Sequence, residues 1–521
     1  MKRRNFLQHA ASSLVLPILI DGFGAKAFAR PSSYIQSLIN LAAASDRVLV
    51  IIQLQGGNDG LNMVIPLDQM STYTSTAFRG NIAISEAKAL KLKNYAGTGL
   101  HPAMTGMQQL FNDGKLSLIQ GVSYPTPNFS HFRASDIWMT AVDSSQTATS
   151  GWAGRYLDKR FPGFPGSYPT TTMPDPPAIQ IGYATATTLL GPTDSMAIVL
   201  QDPDTFARLV GDKPNDPTTT VSGYAGQQLE FIRQQQASSV SYAGQIKSAA
   251  AKGQNLATYP ANNALAAQLK IIARLISGGM QTKVFYVTLN GFDTHAAQVV
   301  ATDTSTGAHA NLLGTLSDAI LAFQTDLGKL KVEDRVVGMT FSEFGRRAIS
   351  NGSFGTDHGT SAPMFVFGTA VKTPMVGKNP NLTDLDNNNL KMQTDFRQVY
   401  AAILTDWFGT DASTEAASLF KDFLAAPVFQ QTVTANEPVA ADARLYPNPA
   451  SSEVILESRM LAQGITTLQV ADMQGRFMSV DSSRPSSTSV RLNVNHLPTG
   501  DYILRVETGQ GSLTKRILIA R

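Results

Sequence analysis

Residues 341–363, FSEFGRRAISNGSFGTDHGTSAP, bring Ser342, Glu343, Arg346, Arg347, Asp357, His358 and Thr360 together directly after an apolar run. Carboxylate beside imidazole is the donor set that zinc or manganese takes where thiolates are missing, and this chain has no cysteine. A second pair, Asp293 and His295, follows another apolar run in Asn290-Gly291-Phe292-Asp293-Thr294-His295. Asp59 lies in the turn Gly56-Gly57-Asn58-Asp59-Gly60, either as a ligand or as an Asx-turn residue. Asp59, Asp293, His295, Glu343, Asp357 and His358 are the candidate ligands of a divalent metal: zinc, or manganese, magnesium or calcium.

Ser130 is the candidate nucleophile. The chain passes Pro125 and Pro127 and enters a helical pattern at Ser130-His131, where a hydroxyl either caps the helix or faces an anion drawn to the helix N-terminus. Arg155, in GWAGRYLD, and Arg346 or Arg347 are candidates to clamp an anionic group, with an ion-pair role as the alternative for each.

These groups need a scaffold that brings distant segments together. Residues 47–55, 115–122, 282–290, 334–342 and 363–371 are near-continuous apolar runs, as expected of strands buried on both faces of a mostly parallel sheet. Helical patterns intervene at 131–141, 225–252, 261–278, 309–330 and 395–408. The expected fold class is α/β, a sandwich with helices on both faces of the sheet. Four of the strands end in the groups named above, and open α/β sheets bind ligands beyond the carboxyl ends of their strands. The segment 160–225, rich in Pro, Thr and Gly, has no clear period. There is no internal repeat and no nucleotide-type glycine fingerprint.

The ends of the chain read as addresses. MKRRNFLQHAASSLVLPILIDGFGAKAFAR has a basic start, a short apolar stretch and Ala27-Phe28-Ala29, the layout of a signal peptide over residues 1–29. Its apolar stretch is too short for a retained transmembrane helix. Arg3-Arg4 with Asn5-Phe6-Leu7 resembles the twin-arginine export signal, which implies the twin-arginine translocase as a partner. This segment carries all of the formal net charge of +3, leaving no basic field for nucleic acid. From about residue 444, short alternating runs divided by Pro, Gly, Asn and Asp predict a small all-β sandwich. Tyr446-Pro447-Asn448-Pro449, Val470-Ala471-Asp472-Met473-Gln474-Gly475-Arg476 and Leu497-Pro498-Thr499-Gly500-Asp501-Tyr502 closely resemble the type A C-terminal sorting domain of the type IX secretion system. The resemblance implies export to the surface of a Gram-negative bacterium or beyond it. His496, inside this module, is expected to be structural.

Across residues 46–425 the motifs VLVIIQLQGGNDGLNMVIP, QGVSYPTPNFSHFRASDIW, NGFDTHAAQ and MTFSEFGRRAISNGSFGTDHGTSAPMFVFG resemble the DUF1501 family, which is grouped with alkaline-phosphatase-like and sulfatase-like proteins. The resemblance implies an alkaline-phosphatase-like α/β sandwich over 46–426, after a connector at 30–45 and before a linker at 427–443 and a sorting domain at 444–521. It also implies a metal-dependent hydrolase of phosphate or sulfate esters, with Ser130 attacking and His131 or His295 protonating the leaving group. Two departures count against a complete two-zinc site: a single residue separates Asp293 from His295, and Phe344 stands where a metal-binding histidine belongs. A single-metal site, or a calcium or magnesium site richer in oxygen, fits better. The other reading is a non-catalytic surface protein that keeps the fold for binding or assembly.

Overall fold

The computed structural model describes residues 46–210, 223–429, 443–458, 461–462, 464–472, 477–508 and 511–521, and a pair of two-residue strands at Leu19–Ile20 and Phe23–Gly24. Apart from those two strands the expected signal, the connector and most of the expected linker fall outside the described residues. The chain divides into two compact units between residues 430 and 431.

In the first unit the apolar runs become a nine-stranded sheet. Its strands are β1 (Val48–Gln55), β2 (Leu116–Ser123), β3 (Ala178–Ile181), β4 (Ala197–Leu200), β5 (Val284–Asn290), β6 (Val336–Phe341), β7 (Ala362–Phe367), β8 (Met375–Val376) and β9 (Thr394–Asp395). The order is β8-β2-β7-β6-β1-β5-β3-β4, with β9 also on β2. Pairing is parallel except at β7, which is antiparallel to both β6 and β2. The carboxyl ends of β1, β2, β5 and β6 therefore share one edge, and β7 starts from it.

Every residue of β2, β6 and β7 is buried, so both faces of the sheet are covered. One helical group is α1 (Thr105–Asn112), α4 (Ala264–Ser277) and α5 (Ala308–Lys329), in which α5 packs against the other two. Another contains α2 (His131–Thr140), α3 (Trp152–Arg160) and α6 (Phe396–Ala402). In it Trp138 stacks on Phe341 and Phe396, and Trp152 stacks on Tyr400.

The strand expected over 363–371 stops at Phe367, because Gly368 takes φ +140° and a Cβ there would lie 2.8 Å from the Val336 carbonyl. The helix expected over 395–408 starts at Phe396 behind an Asp395–Gln398 capping box, and from Ile403 to Trp407 it widens to a π-turn. Strands β3 and β4 and helix α3 were not expected from the periodicity.

The second unit holds two antiparallel four-stranded sheets. One is built from Arg444–Tyr446, Glu453–Glu457, Ser489–Asn493 and Asp481–Ser486; the other from Phe477–Met478, Ile465–Asp472, Gly500–Thr508 and Gly511–Ile519. Val454, Leu456, Val490 and Leu492 of the first share a core with Leu504, Val506, Leu513 and Ile517 of the second. His496 donates from Nε2 to the Ser479 carbonyl, as a structural histidine. Among the described residues of the whole chain, no helix is long and apolar enough to cross a membrane.

Candidate metal centre

The parallel register puts Gln55 of β1 opposite Asn290 of β5, and Phe341 of β6 opposite Gln53 of β1. The three loops that follow therefore leave the sheet side by side. Gly56 and Gly57 take φ values of +125° and +77°. A Cβ on Gly56 would come within 2.3 Å of the Asp293 amide, and one on Gly57 within 2.1 Å of the Phe344 ring, so only glycine admits this approach.

The reversed strand β7 brings residues 345–361 back to the same edge. An antiparallel bridge joins Arg346 to His358, and Gly345 N–H donates to Thr360 O, Gly359 N–H to Gly345 O and Arg347 N–H to Asp357 O. Donor atoms of His131, Asp293 and His358 converge here, all within 4.8 Å of one another.

The outer nitrogens of the two histidines decide what the inner ones offer. His358 Nδ1 lies 2.7 Å from the Phe129 carbonyl, which can only accept, so Nδ1 carries the proton and Nε2 of the neutral ring is bare. That Nε2 faces Asp293 Oδ1 at 3.2 Å. His131 Nδ1 lies 2.8 Å from Glu343 Oε1, which also accepts from Gly56 N–H, and its bare Nε2 faces Asp293 Oδ2 at 3.4 Å. His295 Nε2–H donates to His358 Nε2 and Arg346 donates to Asp293 Oδ1, and the two imidazole nitrogens and the carboxylate that converge here are the donor set a divalent cation takes. Outer nitrogens held by a carboxylate and a carbonyl are the arrangement that orients imidazole ligands. Burial holds the His358 pKa below the ordinary imidazole value, against the pull of Phe129 O and Asp293, which favours the neutral ligating form. Burial alone would raise the Asp293 pKa, but the hydrogen bond and charge of Arg346 and the His358 contact outweigh it, and the carboxyl stays below its usual range.

The other expected residues divide into groups. His295 joins the edge of the cluster, with Nε2 2.8 Å from His358 Nε2 and 3.2 Å from Asp293 Oδ1, and Nδ1 3.5 Å from Asp357. Asp357 and Glu343 stand behind histidine rings and orient them. Phe344, buried, packs its ring 4.9 Å from His131 and 4.5 Å from His358.

Asp59 is not part of the convergent group. It is 1% exposed and is held by Arg79 Nη1 at 2.8 and 2.9 Å and by Gln298 Nε2 at 2.5 Å. Burial would raise its pKa, but Arg79 and these hydrogen bonds keep it below the ordinary value. Arg346 is 1% exposed and does not clamp an outside anion. It donates to the carbonyls of Gly56, Gly57, Thr356 and Phe292 and to Asp293 Oδ1, tying three strand-end loops together. Arg155 lies elsewhere, donating to the carbonyls of Ser150, Thr140 and Ser418 beneath the Phe420 ring, and burial lowers its pKa to about 10. Long side chains that can satisfy several carbonyls at once are drawn inward, and residue type alone does not reveal this.

Ser130 is the exposed N-cap of α2, and its hydroxyl caps no N–H of the helix. The N–H groups of His131, Phe132 and Arg133 have no hydrogen-bond partner among the described residues. Serine and first-turn amides thus lie beside His131 at a positive helix end. Sequence reasoning missed Arg79, Gln298 and the Phe129 carbonyl; Arg79 and Gln298 carry no motif.

Residues 201–415 match the family model described as a protein of unknown function, DUF1501, and residues 444–520 match that of the secretion system C-terminal sorting domain. The DUF1501 match includes Asp293, His295, Glu343, Asp357 and His358, and is shorter than the resemblance expected over 46–425. Solved structures similar to the chain include the lipoteichoic acid synthase LtaP from Listeria monocytogenes, at 9% identity and TM-score 0.31 over 84% of this chain and 87% of that one. A protein in the alkaline phosphatase superfamily from Vibrio parahaemolyticus gives 9% and 0.33 over 93% and 91%. The phosphonate monoester hydrolase SpPMH from Silicibacter pomeroyi gives 9% and 0.33 over 91% and 89%. Among curated proteins, none matches the DUF1501-bearing chain.

Proposed function

We propose that this is an exported, metal-dependent hydrolase of phosphate or sulfate esters. The observation that carries the reading is the convergence of His131 Nε2, His358 Nε2 and the Asp293 carboxylate beside a helix N-terminus with an exposed serine. Three protein ligands are the number that catalytic metal sites use while leaving a position open. Two imidazoles and one carboxylate favour zinc or manganese over magnesium or calcium. Such a metal supplies Lewis acidity when bound, polarising an ester oxygen and favouring a deprotonated hydroxyl.

The chain's own residues do the rest. The first-turn N–H groups of α2 take the anionic oxygens of the ester. Ser130 Oγ passes its proton to solvent water and attacks phosphorus or sulfur, forming the serine ester as the bond to the alcohol oxygen breaks. His295, outside the three-ligand group and partly exposed between Asp293 and Asp357, gives a proton to the departing alcohol. Glu343, Asp357, the Phe129 carbonyl and Arg346 hold the rings and the carboxylate in place. Water then hydrolyses the serine ester.

Export rests on the sorting domain. Passage by the type IX system to the surface of a Gram-negative bacterium, a twin-arginine signal over 1–29, and the boundaries at 30–45, 46–426 and 427–443 complete the proposal. The second reading, a non-catalytic surface protein, draws on the burial of Arg346 and Arg155, which leaves neither free to clamp an ester. Metal analysis of the full-length chain should find one equivalent, and aryl phosphate or sulfate should be hydrolysed. In Ser130→Ala the metal should stay and turnover should vanish; turnover equal in wild type and Ser130→Ala would leave the non-catalytic reading standing.

A further inference from the structure

The first unit exposes five large aromatic side chains among its described residues: Phe129, Phe132, Tyr183, Phe354 and Phe420. Single exposed apolar residues need no explanation, but four of these five lie on segments that leave the carboxyl edge of the sheet, the edge that carries the polar cluster. Phe129 is 43% exposed, and its carbonyl holds His358. Phe132, 91% exposed, follows His131 in the first turn of α2. Tyr183, 89% exposed, stands two residues beyond β3, whose neighbour β5 leads to Asp293.

Phe354 belongs to the loop that precedes His358. Its φ of +56° is a strained conformation for a bulky side chain. Two backbone bonds hold it there, Gln298 N–H to Phe354 O and Ala297 N–H to Ser353 O, and Asn351 Nδ2 ties the same loop to His295 O. The aromatics thus come from three separate segments that leave the same edge as Asp293 and Glu343. Ligand sites combine apolar and aromatic walls with a few convergent polar groups, and this edge has both.

We infer that the ester carries a ring close to the scissile bond, an aryl group or a hexopyranose, and that Phe129, Phe132, Tyr183 and Phe354 receive its apolar face while the anion meets the metal centre. Aromatic rings offer apolar area at low conformational cost, and they distinguish a ring-bearing alcohol from a small aliphatic one. This specificity rests on the hydrolase reading, so the test measures binding apart from turnover.

Titration calorimetry on the metal-loaded full-length chain would compare phenyl phosphate and glucose 6-phosphate with ethyl phosphate, and the corresponding sulfates. At least one ring-bearing ester should bind about tenfold or more tighter than the ethyl ester, and whether phenyl or glucosyl holds the advantage identifies the ring. Tyr183→Ala with Phe354→Ala should abolish that advantage and leave ethyl phosphate binding unchanged, since both side chains are exposed and truncation disturbs no core. Phe420→Ala, at an exposed aromatic away from this edge, should change nothing. Equal binding of ring-bearing and ethyl esters, or an advantage that survives the double substitution, overturns the inference and leaves the hydrolase reading intact. If no ester binds the metal-loaded chain, both readings fall.

Discussion

Asp59 and Asp293 follow adjacent parallel strands, yet they have opposite fates. Asp59 meets Arg79 and Gln298 in an interior that excludes water; Asp293 meets two bare imidazole nitrogens at an edge that is open. The first carboxylate is consumed by its neighbours; the second shares Oδ1 with Arg346 and still turns both oxygens toward imidazole nitrogens. A guanidinium beside a strand-end aspartate therefore does not decide its role; what decides it is whether imidazole nitrogens also reach the carboxylate.

The largest effect is expected from breaking the sealed side. Arg79→Met leaves Asp59 buried and unpaired and should cost about 3–5 kcal/mol in chemical denaturation, whereas Asp59→Asn combined with Arg79→Met should recover much of it. Because the folded Asp59 has a depressed pKa, the pair stabilises the chain above the ordinary carboxylate value, and this is lost as pH falls through the folded value. Little loss in Arg79→Met would mean that the two aspartates are not so different after all.

The open side should behave in the opposite way. His358→Ala or Asp293→Ala should lower metal affinity by at least about 100-fold, read by competition with a chelator; His358→Ala should leave the metal-free chain nearly as stable as before, whereas Asp293→Ala also takes the carboxylate from the buried Arg346. A smaller loss of affinity, about 10–100-fold, is expected for Glu343→Gln, which acts on His131 only from behind. Unchanged affinity in both substitutions would remove the distinction between ligand and orienting carboxylate. The smallest effect belongs to Ser130→Ala, expected to change stability by less than about 0.5 kcal/mol because the hydroxyl caps no amide.

Much of this comparison was legible in the sequence, and the limit has a physical cause. Long apolar runs announce doubly buried strands, and polar residues at their ends announce an edge, so β1, β5, β6 and the places of Asp293 and His358 could be read directly. Strands β3 and β4, four residues each, are too short to show a period. Whether Asp59 is a ligand depended on Arg79, twenty positions later in a segment without regular spacing. Whether Glu343 ligates or orients depended on His131, more than two hundred residues earlier. Arg155 and Arg346 were read as reaching outward because nothing local records which carbonyls an arginine will find.

The hydrogen-bonded neck between Gly345–Arg347 and Asp357–Thr360 has a consequence for how such chains diversify. Because the neck closes on itself, Glu343 and His358 stay in register whatever lies between Ile349 and Gly355. Exchanges of exposed side chains at that tip can reshape what the edge accepts without moving Glu343 or His358, so long as Asn351 keeps its bond to His295 O. The metal-binding core and the surface that selects its partners can therefore change at different rates, as separate inheritable parts.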